Sequence, residues 1–355
     1  MNSKSEITNF LPLPKDDWLS KWNEIIIDPH IPIVDAHHHI WSRTGWVYGA
    51  EELTKDLISG HLITSTVFVQ CREHYYQFGD EAFKPIGETE YIVQTANEAE
   101  ELIKNNTAKN FNHKIKICEA IVGFADLTLG DRVAAVLEAH ISASNHRFRG
   151  IRHSGARYED GPITNTWPLP PNSLFLESNF IKGFAVLNKF NLSFDAWVYQ
   201  NQLLDVYTLA KKFPKTKIVL NHVGGPLGIN QFSSDKKSTF DSWKNLILEL
   251  STCPNIYIKL GGLGLVSCGF GFNKLEQPVS SERLAHAWRP WVSHCIDTFT
   301  PTRCMFESNF PVDKVTCSYP VLWNTFKRLT QEYSESEQAN LLSNTAKNFY
   351  GLSQD

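Results

Sequence analysis

Three histidines in a row end the apolar run "PIVDAHHH" at residues 32–39. Ile33, Val34 and Ala36 have the character of a buried strand, so the histidines stand where that strand emerges. Side chains alternate along a strand, which puts His37 and His39 on one side and His38 on the other. Two imidazoles from one strand and a third from another can hold zinc and leave a fourth position open. His222, at the end of the apolar run "KIVLNHVG" (217–224), can supply the third. Other polar residues mark the ends of similar runs. They are Arg72 and Glu73, Asp126, Arg152 and His153, Asp195, Lys259, and the pair Glu307 and Asn309. A guanidinium offers a planar donor fork. Arg72 and Arg152, with Tyr75, are therefore candidates for binding a substrate carboxylate or hydroxyl, and Asp195 joins them as a polar candidate. Structural roles compete with these readings. Asp126 can cap the helix after it, Lys259 can pair with a neighbouring acid, and His140, His286 and His294 lie on helical stretches.

The elements that must carry these residues recur as strand, then helix. Eight apolar runs read as strands: 31–39, 66–71, 120–127, 148–154, 192–199, 217–224, 256–262 and 303–310. Most are apolar on both parities, as expected of parallel strands covered on both faces. Helical spacing appears in "DRVAAVLEAHISA", "NQLLDVYTLAKKF" and "SERLAHAWRPWVSHCIDTF". A last helix, "SESEQANLLSNTAKNFYGL", opens on a capping-box pair, Ser334 and Glu337. Eight alternating units predict a (β/α)₈ TIM barrel over residues 31–355, preceded by an N-terminal arm, 1–30. An open doubly wound sheet is the rival. The glycine fingerprint of a dinucleotide site is missing, since "VGGPLG" is not G-x-G-x-x-G. In a barrel the site lies at the C-terminal ends of the strands. The long connections after the fourth and seventh strands, rich in Gly, Pro and aromatics, are expected to wall it.

The bulk numbers fit a small-molecule enzyme. The chain has 355 residues, 42% hydrophobic, and a net charge of -4, which gives no reason to expect nucleic acid or an anionic membrane as partner. Seven cysteines, an odd number without a CxxC pair, read as free thiols of a reducing compartment. The N-terminus lacks an apolar signal core and no run is long enough to span a membrane, so a cytoplasmic location is expected. A homo-oligomer is compatible with all of this.

The ordered set "VDAHHHIW", "FRGIRHSG", "LSFDAWVY", "VLNHVGGPLG" and "RCMFESNFPVDK" resembles the amidohydrolase-2 family. This branch of the amidohydrolase superfamily includes sugar-lactone hydrolases and the 2-pyrone-4,6-dicarboxylate lactonase. The resemblance runs from about residue 30 to "NTAKNFYGL" and implies an amidohydrolase-like barrel that hydrolyses a lactone or related carbonyl compound. It implies His37, His39 and His222 as ligands of one divalent ion, with zinc favoured; some members work without metal. Relatives commonly read "GSDWP" where this chain reads "ESNFP". Asn309 thus stands at the position of an aspartate that orients or deprotonates water. An amide is not basic at neutral pH, so the catalytic set becomes Glu307, Asn309, His153 and His222, with the proton passing to Glu307, His153 or His222. With no lysine at the end of the fourth strand, a carbamate-bridged binuclear centre is not expected. The alternatives are a metal-dependent decarboxylase acting on an aromatic acid and a non-catalytic ligand-binding relative.

Overall fold

Strand β1 (Pro32–His38) pairs in parallel with β2 (Leu62–Val69), and the series continues in chain order through β3 (Lys116–Gly123), β4 (Phe148–Ser154), β5 (Ser193–Trp197), β6 (Ile218–Leu220), β7 (Ile256–Leu260) and β8 (Cys304–Phe306). The structure, a computed structural model, describes residues 12–106, 114–158 and 169–354. The ring closes just beyond β8, where Asn309 N donates to His37 O at 2.8 Å and His39 N donates to Phe310 O at 2.7 Å. Eight parallel strands in chain order, nearly closed and surrounded by helices, are the expected TIM barrel. The open doubly wound sheet is excluded.

Alternation divides the strands into an outer and an inner set. Ile33, Phe68, Ile121, Phe194, Ile258 and Phe306 join the large core between strands and helices. Val34, Ala36, Val67, Val69, Ala120, Val122, Val219 and Met305 form a second core within the barrel. Ala346, Phe349, Tyr350 and Leu352 complete that inner core. The C-terminal segment therefore plugs the barrel floor. Filling the floor with side chains leaves only the opposite end for a site.

Several boundaries differ from those the sequence suggests. β2 and β3 begin earlier, while β5 to β8 end sooner. The residues after β6 and β8 leave the sheet because His222, Val223 and Asn309 adopt positive φ, between 46° and 55°. Such turns redirect side chains over the barrel mouth. Asp126 caps a 3-10 turn over Leu127–Arg132, accepting from Thr128 N at 2.9 Å, and the regular helix starts only at Val133. The last helix is broken into Glu335–Ala339, a π turn over Asn340–Asn344, and Thr345–Tyr350; its Ser334–Glu337 capping box is present. Helices Ala50–Leu57, Ile86–Asn106, Ser178–Leu187, Lys236–Ser251 and Tyr319–Thr330 add to the four marked by periodicity.

Of the stretch 1–30 expected to form an N-terminal arm, residues 1–11 lie outside the described residues. Beyond them Trp18 Nε1 donates to Leu275 O at 3.1 Å, and Asn324 Nδ2 donates to Ile25 O at 2.9 Å. A two-stranded hairpin, Trp41–Arg43 with Trp46–Tyr48, follows β1 directly.

Candidate active site

The interior of the barrel is a column of contacts from floor to mouth. Tyr350 OH, from the plug, donates to Asp195 Oδ1 at 3.0 Å. Asp195 Oδ2 pairs with Lys259 Nζ at 2.7 Å and accepts from Asn221 Nδ2 at 2.9 Å. Lys259 Nζ then lies 3.5 Å from Nδ1 of His37. Asp195 and Lys259 are fully buried and do not line the cavity above. The expectation that Asp195 binds substrate is thus not met by its position. It points inward from β5, but one layer too deep.

His37 is the hub of the next layer. Its Nδ1 is 2.7 Å from Glu307 Oε2, and its Nε2 is 3.3 Å from His39 Nε2 and 3.2 Å from Arg152 Nη1. His222 Nδ1 donates to Glu307 Oε1 at 2.7 Å, and His222 N donates to the same oxygen at 2.9 Å. The His37–His222 ring centroids are 4.7 Å apart. Sequence alternation was right about which histidines face together, although for a more involved reason than parity. Val34 and Ala36 also face inward, so strict alternation from them would have turned His38 in. The β1–β2 register slips between Asp35 and His38, and that bulge shifts the inward set to His37 and His39. His38 faces the other way and bonds Thr66 Oγ1 at 2.9 Å. Burial first, then the Lys259 charge, holds His37 well below the usual imidazole range. Burial does the same to His39, so both are neutral.

Two glycines make room for this layer. A Cβ on Gly261 would come within 2.4 Å of the Glu307 side chain and backbone, and one on Gly262 within 2.5 Å of the His222 ring. Gly262 also needs its positive φ of 66°. The "LGG" that ends β7 is therefore the surface against which the glutamate and the histidine pack.

Above the layer opens a pocket of about 640 Å³, counting its mouth. His39, His222, Arg152 and Asn309 line it, with Arg72 and Arg43 toward the rim. Trp41 stacks on His39 at 5.8 Å, and Trp197 meets His222 edge-on at 4.7 Å. Arg43 lies over Trp41 at 4.2 Å and is held by Glu73 at 2.9 Å. Leu265, in the connection after β7, also lines the pocket, as expected of that loop. In the connection after β4, residues 159–168 lie outside the described residues.

Other expected site residues fall elsewhere. His153 follows Arg152 directly and so faces the opposite side of β4, packed against Phe124 and Phe180 at 5.1 and 5.4 Å. Burial lowers it to about 4. Tyr75 is outside the pocket wall, its hydroxyl buried without a hydrogen-bond partner. Glu307 does not line the pocket either, because both of its oxygens face imidazoles. Asn309 does, and its amide donates to Asp313 Oδ1 at 2.9 Å. Asp313, pushed up to about 8 by burial, is a second acid that sequence reasoning passed over. Its signal was its place four residues after Asn309, within the quoted motif. Arg43, Trp41 and Trp197 were also missed, although each lies within eight residues of a flagged position.

Whether a divalent ion fits can be read from the donors. Ligand atoms of His37, His222 and Glu307 all lie within 4.8 Å of one another, and all three residues are buried. Glu307 Oε2, although 2.7 Å from His37 Nδ1, has no aligned hydrogen-bond donor. Neutral imidazoles and a carboxylate oxygen short of a partner are the donor types that zinc takes, so the residues fit such an ion. Relative to the expected trio, Glu307 enters the set; His39 touches it through His37.

Sequence comparison agrees with this architecture. The chain is 29% identical over 334 residues to the uncharacterized protein y4mH of Sinorhizobium fredii, covering 90% of this chain and 98% of that one. It is 26% identical over 261 residues to an L-rhamnono-gamma-lactonase of Scheffersomyces stipitis, covering 70% and 69%. In fold it is similar to a zinc-bound amidohydrolase from Burkholderia multivorans, with a TM-score of 0.63 at 20% identity, covering 90% of this chain and 99% of that one. The family model described as amidohydrolase matches residues 34–352, and the chain belongs to that family.

Proposed function

We propose that this protein hydrolyses a small lactone carrying an anionic group. One observation carries the reading: Arg72 and Arg152 line a pocket whose described wall includes no carboxylate, beside an Arg43 that Glu73 already holds, and its base has His222 hydrogen-bonded to Glu307. The lactonase named among the relatives supports the reaction class. His222 is the general base. Glu307 accepts its Nδ1 proton and so fixes the tautomer whose other nitrogen can take a proton. In the reaction His222 takes a proton from water as the water oxygen bonds to the lactone carbonyl carbon. The ring C–O bond then breaks, and His222 returns the proton to the departing alkoxide. The product is a hydroxy acid. Asn309 takes no proton; it orients water or substrate with its amide anchored on Asp313. Arg152 and Arg72 hold the anionic group and the developing oxyanion. His37, with His39 or with His222 and Glu307, would hold a divalent ion, which when bound polarises a carbonyl or lowers the pKa of water.

The test is a panel of neutral and carboxylated five- and six-membered lactones, followed by proton release. Turnover is expected with carboxylated members and a loss of about 10²-fold or more in kcat in His222→Asn. No ring opening across the panel, or an unchanged rate in His222→Asn, overturns the proposal.

A further inference from the structure

The hub of the cluster carries a conflict that the protein resolves with its own charge. His39 Nδ1 is 2.7 Å from Val69 O. A carbonyl only accepts, so neutral His39 has its proton on Nδ1 and a lone pair on Nε2. At His37 Nδ1 the nearer group is the Glu307 carboxylate, at 2.7 Å, against 3.5 Å for the Lys259 ammonium. The proton of His37 is therefore also on Nδ1, and its lone pair is on Nε2. The two Nε2 atoms are 3.3 Å apart. Two lone pairs at that distance repel unless a cation lies against them. Arg152 supplies it, with Nη1 3.2 Å from His37 Nε2.

Arg152 is only partly satisfied there. Its Nη2 donates to Gln70 O, while its Nε is buried with no hydrogen-bond partner. Arg152 is 7% exposed and lines the pocket, so it has both a reason to leave and somewhere to go. We infer that Arg152 and a divalent cation are alternative occupants of one lone pair, that on His37 Nε2. This rests on the facing Nε2 atoms of His37 and His39 being able to hold metal, a pair that leaves out Glu307, and not on the lactone. Arg152 makes ion binding weaker than the imidazoles alone would give. An anionic ligand that draws the guanidinium into the pocket strengthens ion binding, and by linkage the ion strengthens anion binding by the same factor.

The experiment measures ion binding without turnover, so it is independent of the substrate assignment. Zinc affinity is measured by equilibrium dialysis, and cobalt(II) uptake by visible absorption, for the full chain and for Arg152→Gln and Arg152→Lys. Arg152→Gln is expected to bind zinc at least about tenfold more tightly, and Arg152→Lys, which keeps the charge, to gain less. Unchanged or weaker affinity in Arg152→Gln overturns the inference, as does an equal or larger gain in Arg152→Lys, or failure of every form to take up an ion. If Arg152→Gln does not fold, the wild type decides. With free zinc held by a metal buffer, glutarate should raise zinc affinity, and an affinity indifferent to glutarate overturns the inference.

Discussion

Two buried ionic groups are stacked in the same barrel, and they are finished to different degrees. In the lower one, Asp195 receives Lys259, Asn221 and Tyr350, and both carboxylate oxygens have partners. In the upper one, Glu307 Oε2 lacks an aligned donor, and Arg152 Nε and Gln70 Oε1 have no hydrogen-bond partner. The ingredients are alike: a carboxylate and a cation, both inside the strands. In the lower group Asn221 Oδ1 also lacks a partner, so the contrast lies in the carboxylates and cations themselves: the lower pair is complete, and the upper one leaves a carboxylate oxygen and a guanidinium nitrogen unmatched. For these two carboxylates and their cations, the difference sets the sealed pair apart from the pair beneath the pocket.

The contrast can be broken from below. Lys259→Met leaves Asp195 buried without its cation and should cost about 3–5 kcal/mol of stability, read from urea unfolding. Adding Asp195→Asn to it should recover most of that loss; failure to recover would mean the lower pair does more than fill the floor. In the upper layer Glu307→Gln should act mainly on rate. It keeps the shape but weakens the grip on His222, and kcat should drop about 10²-fold, roughly 2.7 kcal/mol, while the melting temperature moves little. A comparable fall in stability would instead make Glu307 a scaffold residue. Gly262→Ala strains a positive φ and presses the His222 ring, for a cost of about 1–3 kcal/mol. It should lower kcat more than it raises KM, and equal effects on both would show that the ring had not moved.

The smallest effect concerns Glu88, whose Oε1 accepts from Cys71 N and Glu73 N while Oε2 is unpartnered. Burial lifts this carboxyl from 4.5 to about 7. A raised carboxyl pKa means the folded state binds the proton more tightly, so the stability it contributes is complete below pH 4.5 and is lost as pH rises through about 7. Glu88→Gln should therefore flatten the fall in melting temperature between those values. A slope as steep as in the wild type would rule out Glu88 as its source.

Much of this was legible in the chain because strands buried on both faces write long apolar runs. The eight strands and the barrel followed from that grammar, and so did the shared side of His37 and His39; that this side faces inward depends on the bulge in β1. What it could not convey was depth and turning. Asp195 and Arg152 are cross-strand neighbours in register, yet one is sealed below the cluster while the other reaches the pocket. His153 was misread because adjacency in sequence is opposition in a strand. Glu307 and Asn309 share parity, but the positive φ at Asn309 separates them, leaving one beneath the imidazoles and the other on the pocket wall. Asp313 was out of reach because its tie to Asn309 is made beyond the end of the strand.

The two tryptophans at the pocket have a practical consequence. Trp41 lies flat on His39, and Trp197 meets His222 edge-on, so two of the ten indoles touch the cluster, one from the hairpin after β1 and the other from the end of β5. Anything that enters the pocket, ion or organic, changes the surroundings of one or both. The protein thus carries its own optical reporter. Intrinsic emission, with Trp41→Phe and Trp197→Phe as separate controls, can follow occupancy on the His39 side and the His222 side independently, before any substrate has been identified.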